Sequence, residues 1–190
     1  MGNNIYLQIT KKTADEMGIK KLDKIDIYQS AINMWHASLK YINRKKCILF
    51  MNDLTRYSIF LYGVKKKDLK FIDNIFLDSL IDTMRSDNIP HESIMKLVDN
   101  IESFNIIKTN NRSITGSIND HYRCLPAYLD LTYVDRMAKE GILNLRKINH
   151  QLNRIPLMCS QKGFYAVDKM KELLIDGYDP DKDENRRDDW

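Results

Sequence analysis

Between positions 108 and 120 the chain gathers the side chains most able to do chemistry: Lys108, Asn110, Asn111, Arg112, Ser113, Ser117, Asn119 and Asp120. A lysine and an arginine bring full positive charge, and the planar guanidinium can grip a carboxylate or phosphate through two parallel hydrogen bonds. Ser113 is a helix N-cap type, because its hydroxyl accepts a bond from a free amide of the first turn. Behind it Ile118, Tyr122, Leu125 and Leu129 recur on one helical face. The N-terminus of such a helix offers unpaired amides and a positive dipole end, which suits an anion. Asn119 and Arg123 are four apart on that helix and therefore neighbours. Gly116-Ser117 falls in the first turns, where glycine costs about 1 kcal/mol relative to alanine. That cost points to a close backbone approach or to a helix start at Ser117. Asparagine, serine and threonine also close turns and cap helices with no ligand in view. A structural turn and an anion site thus both remain open for this segment. An enzyme pocket built from Ser117, Asn119 and Asp120, with His36 or His121 in reach, is the alternative chemistry.

Other chemistries are absent from the pattern. No Gly-x-x-x-x-Gly-Lys-[Ser/Thr] phosphate loop occurs. His36, His91, His121 and His150 lie on four separate elements and form no His-Glu-x-x-His pair. Asp120 and His121 are adjacent, so on a helix they point apart. Cys47, Cys124 and Cys159 include no Cys-x-x-Cys, which excludes a zinc ribbon or a thioredoxin-like motif. Asp179 to Trp190 imitates a calcium loop, but its sixth position is Glu184 rather than glycine and its twelfth is Trp190 rather than glutamate. No metal and no cofactor are expected.

The elements that must position the polar segment follow from hydrophobic periodicity. Ile5, Leu7 and Ile9 alternate with polar residues as in a half-buried strand, and Lys11 to Gly18 forms a short helix that Gly18 stops. Ala37, Leu39 and Tyr41 alternate, Asn43-Arg44-Lys45 turns, and Cys47 to Met51 is apolar throughout, as in a strand covered on both faces. Asn52-Asp53 turns again and Tyr57 to Tyr62 returns, completing an antiparallel meander. Leu69, Ile72, Phe76, Leu80 and Met84 mark a buried helix. Ile94, Leu97, Val98, Ile101 and Phe104 mark a second helical face beyond Pro90, and a strand over 105–109 leads into the polar segment. Pro126 ends or kinks the helix that follows. Leu145 to Ile155 and Val167 to Leu174 give two more helices. The expected fold is α+β: a single domain over 1–176 with an antiparallel β-meander sheet packed with several amphipathic helices.

Composition sets the remaining bounds. The chain has 190 residues, 43% of them hydrophobic, and a formal net charge of +4. One well-buried domain fits that length. From Asp176 to Trp190 there are seven acidic and three basic residues, so the rest of the chain carries +8. Residues 177–190 read as an acidic, flexible tail. Arg44-Lys45-Lys46 and Lys65-Lys66-Lys67 are basic clusters that, with Lys108 and Arg112, form a candidate patch for nucleic-acid phosphates. No apolar run approaches the about 18 residues of a membrane span. Met1-Gly2-Asn3-Asn4 has no leader composition. A cytoplasmic location, with thiols reduced, and no membrane partner are the expectations.

The run Thr109-Asn110-Asn111-Arg112-Ser113, with Gly116-Ser117 and Asn119-Asp120 behind it, resembles the signature of an uncharacterised bacterial family, a domain of unknown function. Thr10-Lys11-Lys12-Thr13, Trp35 followed by Ala37, Arg44 to Phe50, and Leu152-Asn153-Arg154-Ile155-Pro156-Leu157-Met158 fit the same pattern. The resemblance covers nearly the whole chain and implies no activity. The expectation drawn from the residues is a binding module. Its Asn-Asn-Arg-Ser loop and helix N-terminus would recognise an anionic group on a nucleotide, a nucleic acid or a partner protein.

Overall fold

A computed structural model describes residues 3–23, 31–99, 101–109, 111–139, 141–156 and 164–177. Asn110, Leu157, Met158, Cys159 and the tail from 178 onward lie outside the described residues. The strands are β1 (Asn3–Ile9), β2 (Met34–Ile42), β3 (Lys45–Asn52), β4 (Ser58–Tyr62), β5 (Ile101–Lys108) and β6 (Leu143–Asn144). They form one sheet in the order β5-β1-β2-β3-β4-β6. The helices are α1 (Lys11–Met17), α2 (Ile72–Ser86), α3 (His91–Val98), α4 (Arg112–Tyr128), α5 (Leu131–Met137), α6 (Arg146–Leu152) and α7 (Ala166–Ile175).

The fold is α+β and the meander β2-β3-β4 is antiparallel, but the sheet as a whole is mixed. Strand β1 pairs in parallel with both β2 and β5. Parallel neighbours need a long crossover rather than a hairpin, and here α1 links β1 to β2 while α2 and α3 carry the chain from β4 to β5. Ile101 and Phe104, expected on a helix, belong to β5, because α3 stops at Val98.

Period-2 alternation sorts the strand side chains between two cores. Ile5, Leu7, Ile9, Trp35, Ala37, Leu39, Ile48 and Phe50 face α2, α3 and α7, with Ala14 of α1 on the same side. Cys47, Leu49, Met51, Phe60 and Tyr62 face α4, α5 and α6. Central strands β3 and β4 are therefore covered twice, which is why Cys47 to Met51 is apolar at every position. Phe76 of α2 locks the first core, with ring centroids 5.0 Å from Trp35, 5.0 Å from Phe50 and 5.7 Å from Phe104.

Candidate functional site

The start of α4 is built by Asn111, not Ser113. Asn111 is extended (φ −103°, ψ 106°), and its Oδ1 accepts the amides of Ser113 at 3.0 Å and Ile114 at 3.2 Å. An asparagine two residues upstream thus satisfies two free amides at once, leaving the Ser113 hydroxyl to accept from Arg56 Nη2 at 3.4 Å. Arg112 and Ser113 are exposed, as is Lys108 at the end of β5. Gly116 lies inside α4, and nothing lies within 4 Å of where its Cβ would be. No close approach explains that glycine. Pro126 sits inside α4, which ends two residues later at Tyr128.

Topology brings two polar segments together. Ile9 and Lys108 are register partners at the C-terminal ends of β1 and β5, and the Thr109 amide donates to the Ile9 carbonyl at 3.1 Å. Beyond β1, the Thr10 hydroxyl caps α1 by accepting the Thr13 amide at 3.2 Å. Beyond β5, Asn111 caps α4. Helix α1 packs on one face of the sheet and α4 on the other. Adjacent parallel strands whose connections leave to opposite faces open a crevice at their carboxyl ends, the usual ligand position in such sheets. Lys108 and Arg112 are exposed there, and Lys11 and Lys12 are exposed on the first turn of α1, where they line a concavity with Asp15 and Glu16; among the described residues none of the four forms a salt bridge.

Beneath these charges lies a buried polar network. His36, 2% exposed, places Nδ1 at 2.6 Å from Asp53 Oδ1 and Nε2 at 2.6 Å from the Thr109 hydroxyl. The Gln8 amide donates to the other Asp53 oxygen at 2.9 Å. A carboxylate only accepts, so His36 Nδ1 carries the proton, and in the neutral ring Nε2 accepts from Thr109. Arg56 Nη1 donates to the Asp53 carbonyl at 3.1 Å and so joins this network to Ser113. Hydroxyl, imidazole and carboxylate stand in the order of a proton relay. The same bonds tie together the ends of β1, β2, β3 and β5. Gln8, Asp53 and Arg56 escaped the sequence reading. The available signal was Gln8 and His36, each a polar residue flanked by apolar ones, which the β1–β2 register sets side by side.

Ser117, Asn119 and Asp120 do not meet. The Ser117 hydroxyl donates back to the Ser113 carbonyl at 3.3 Å. Asn119 Oδ1 accepts from Lys40 Nζ at 2.6 Å, beside an open concavity of about 520 Å³ that Tyr122 and Arg123 also line. Asp120 pairs with Arg123 at 2.8 Å on the exposed side of α4. Helical steps of about 100° account for the divergence. His121 is buried, with Nδ1 3.2 Å from the Ser117 carbonyl, and burial pushes its pKa down.

A second buried network surrounds Asp87, which is fully buried and accepts from Tyr57 at 2.6 Å, His150 at 2.9 Å and Arg154 at 2.6 Å. It docks α6 against the end of α2. Its carboxylate is fully engaged, so this network reads as scaffold. Among the described residues no group of three histidine, cysteine or acidic side chains is arranged to hold a metal ion.

Residues 6–169 match the family described as a domain of unknown function, DUF6933. The chain belongs to this family. The match begins in β1 and ends within α7, so it takes in both capped segments at the carboxyl ends of β1 and β5. No curated protein and no solved structure gives a match.

Proposed function

We propose that the chain is a binding module for an anionic group, which it takes at the carboxyl ends of β1 and β5. One observation carries the reading. The segments that follow β1 and β5 are brought side by side by parallel pairing and present Lys11, Lys12, Lys108 and Arg112 to solvent, none of them in a salt bridge among the described residues. Asn111 already occupies the Ser113 and Ile114 amides, so the side-chain charges, more than the helix amides, hold the anion. Phosphate is the favoured group, because it offers acceptors to several donors at once.

Arg112→Lys keeps the charge but loses the guanidinium fork. It is expected to retain wild-type thermal stability and to bind more weakly by about 1–2 kcal/mol. Thermal unfolding and calorimetry with nucleotides and short nucleic acids, at low and high salt, measure both. A protein whose melting point moves with no anion in that panel has no such site.

An enzymatic reading has an observation of its own, the Thr109–His36–Asp53 relay. In that reading His36 removes the Thr109 proton and Asp53 holds the ring in the required tautomer. Thr109→Val would then abolish turnover of the substrate while leaving anion binding in place. Loss of binding and stability together would mark the relay as a brace.

A further inference from the structure

We propose that the groove between β2 and α4 seats a phosphate group, gripped by Lys40 and Arg123. The inference deepens the anion-binding reading and rests on it for the class of ligand, while assigning the phosphate to a different set of side chains.

Lys40 points from β2 toward α4. It is half-buried, its Nζ donates to Asn119 Oδ1 at 2.6 Å, and it lies 4.6 Å above the Tyr122 ring. Its hydrogen-bond partner Asn119 and the ring beneath it, Tyr122, are both neutral. Among the described residues no carboxylate pairs with it, whereas Lys46, one strand over, is paired with Glu16 at 3.1 Å. The charges that act on Lys40 are like charges. Burial holds its pKa below the usual lysine range, and Arg123 and then Lys12 add to that effect. Arg123 reaches Asp120, but both side chains of that pair are largely exposed, at 80% and 69%, so water screens it.

A half-buried ammonium with a like charge beside it is an uncompensated cost unless an anion joins them. The donors suit a tetrahedral oxyanion. An ammonium has three protons, and Asn119 takes one of Lys40's, leaving two. Arg123 adds a planar fork. The concavity of about 520 Å³ is open, so a phosphate seated there can belong to a larger molecule that continues into solvent. Tyr122 forms its floor and is itself fixed, its hydroxyl donating to the Ser38 carbonyl at 2.7 Å.

The test is competitive acylation of lysines in the intact protein at mildly alkaline pH, read by peptide mass spectrometry. Inorganic phosphate, a nucleoside triphosphate and a short single-stranded RNA are the probes. Free Lys40 is expected to label faster than exposed Lys147, since more of it is unprotonated. At least one probe is expected to slow Lys40 labelling about tenfold while Lys147 is unchanged. Protection by phosphate alone identifies the free ion, by the triphosphate a nucleotide, and by RNA only a nucleic-acid backbone. Lys40→Met is expected to weaken binding of the protecting probe about tenfold or more, and Lys147→Met not at all. Lys40 labelling that no probe alters overturns the proposal. So does a Lys40→Met protein that binds as wild type while Arg112→Lys does not, which would leave the anion at the start of α4 alone. The reverse pattern keeps this site and removes the one at Arg112.

Discussion

Asn111 and Ser113 show how two residues of similar chemistry divide a task. Both are N-cap types, and the sequence points to Ser113 as the cap of the helix whose apolar face runs from Ile118 to Leu129. In the structure Asn111 Oδ1 spans the Ser113 and Ile114 amides, and Ser113 turns its hydroxyl to Arg56. Asn111→Ala is therefore expected to cost about 0.5–2 kcal/mol, the range for a lost N-cap. Ser113→Ala should stay within about 0.5 kcal/mol of wild type, as exposed positions do. Urea midpoints for the two variants measure the difference, and equal losses would return the cap to Ser113. The wider network was less legible for a physical reason. His36 meets Thr109 across 73 positions of sequence and Asp53 across 17, and nothing in local spacing encodes those contacts. Asp53 follows Asn52 in what reads as an ordinary polar turn. Its role depends on where β1 and β5 lie.

Among the elements, those with a strong local signal were readable and those defined by distant partners were not. The hairpin between β2 and β3 carries Asn43 and Arg44 at φ 46° and 61°, a two-residue turn whose asparagine and polarity mark it in sequence. Alternation in β1 was equally plain, yet alternation says nothing about strand direction, and both of its pairings are parallel. Ile94, Leu97, Val98, Ile101 and Phe104 keep helical spacing through the point where α3 gives way to β5, so periodicity alone placed the boundary too late. Helix α5 was missed, although Asp130 caps it by accepting the Tyr133 amide at 3.1 Å. The stripe of α2 was legible from Ile72 to Met84, while Leu69, read as its first residue, lies in a short 3-10 turn over Asp68–Phe71 ahead of it. Phe76 on that stripe touches Trp35 of β2, Phe50 of β3 and Phe104 of β5. Phe76→Ala is expected to cost about 3–5 kcal/mol, enough to threaten the fold, and Phe76→Leu clearly less. Denaturant unfolding of the leucine variant gives the more measurable number. A loss below about 1 kcal/mol in the alanine variant would mean that α2 is not the keystone of the first core.

For the whole molecule, the two cores on opposite faces of one sheet set its response to alkali. Burial holds the Tyr122 hydroxyl well above its ordinary range, and burial followed by the Asp87 carboxylate does the same to Tyr57. Tyr62 is raised by burial and by its hydrogen bond to Asp135, and burial pushes the Cys47 thiol up to about 12. In each case the folded pKa exceeds the unfolded one, so the fold favours the protonated group. That contribution is complete below the unfolded values, about 8.5 for the thiol and 10 for the phenols, and it is lost as pH climbs toward the folded values. Lys40 has the opposite sign. Its folded pKa lies below the unfolded value, so raising pH through that window relieves the fold, but one half-exposed lysine against four groups leaves the sum negative. The melting temperature is therefore expected to be flat from pH 7 to about 8.5 and to fall increasingly steeply above about pH 10. The tyrosinate absorbance of the buried phenols Tyr57, Tyr62 and Tyr122 should rise only together with loss of helical circular dichroism. Over the same range Cys47 should resist a thiol reagent until the molecule unfolds, since a buried, protonated sulfur is a poor nucleophile. A single smooth tyrosine titration that leaves the helical signal intact would show that the three phenols reach water without the two cores coming apart.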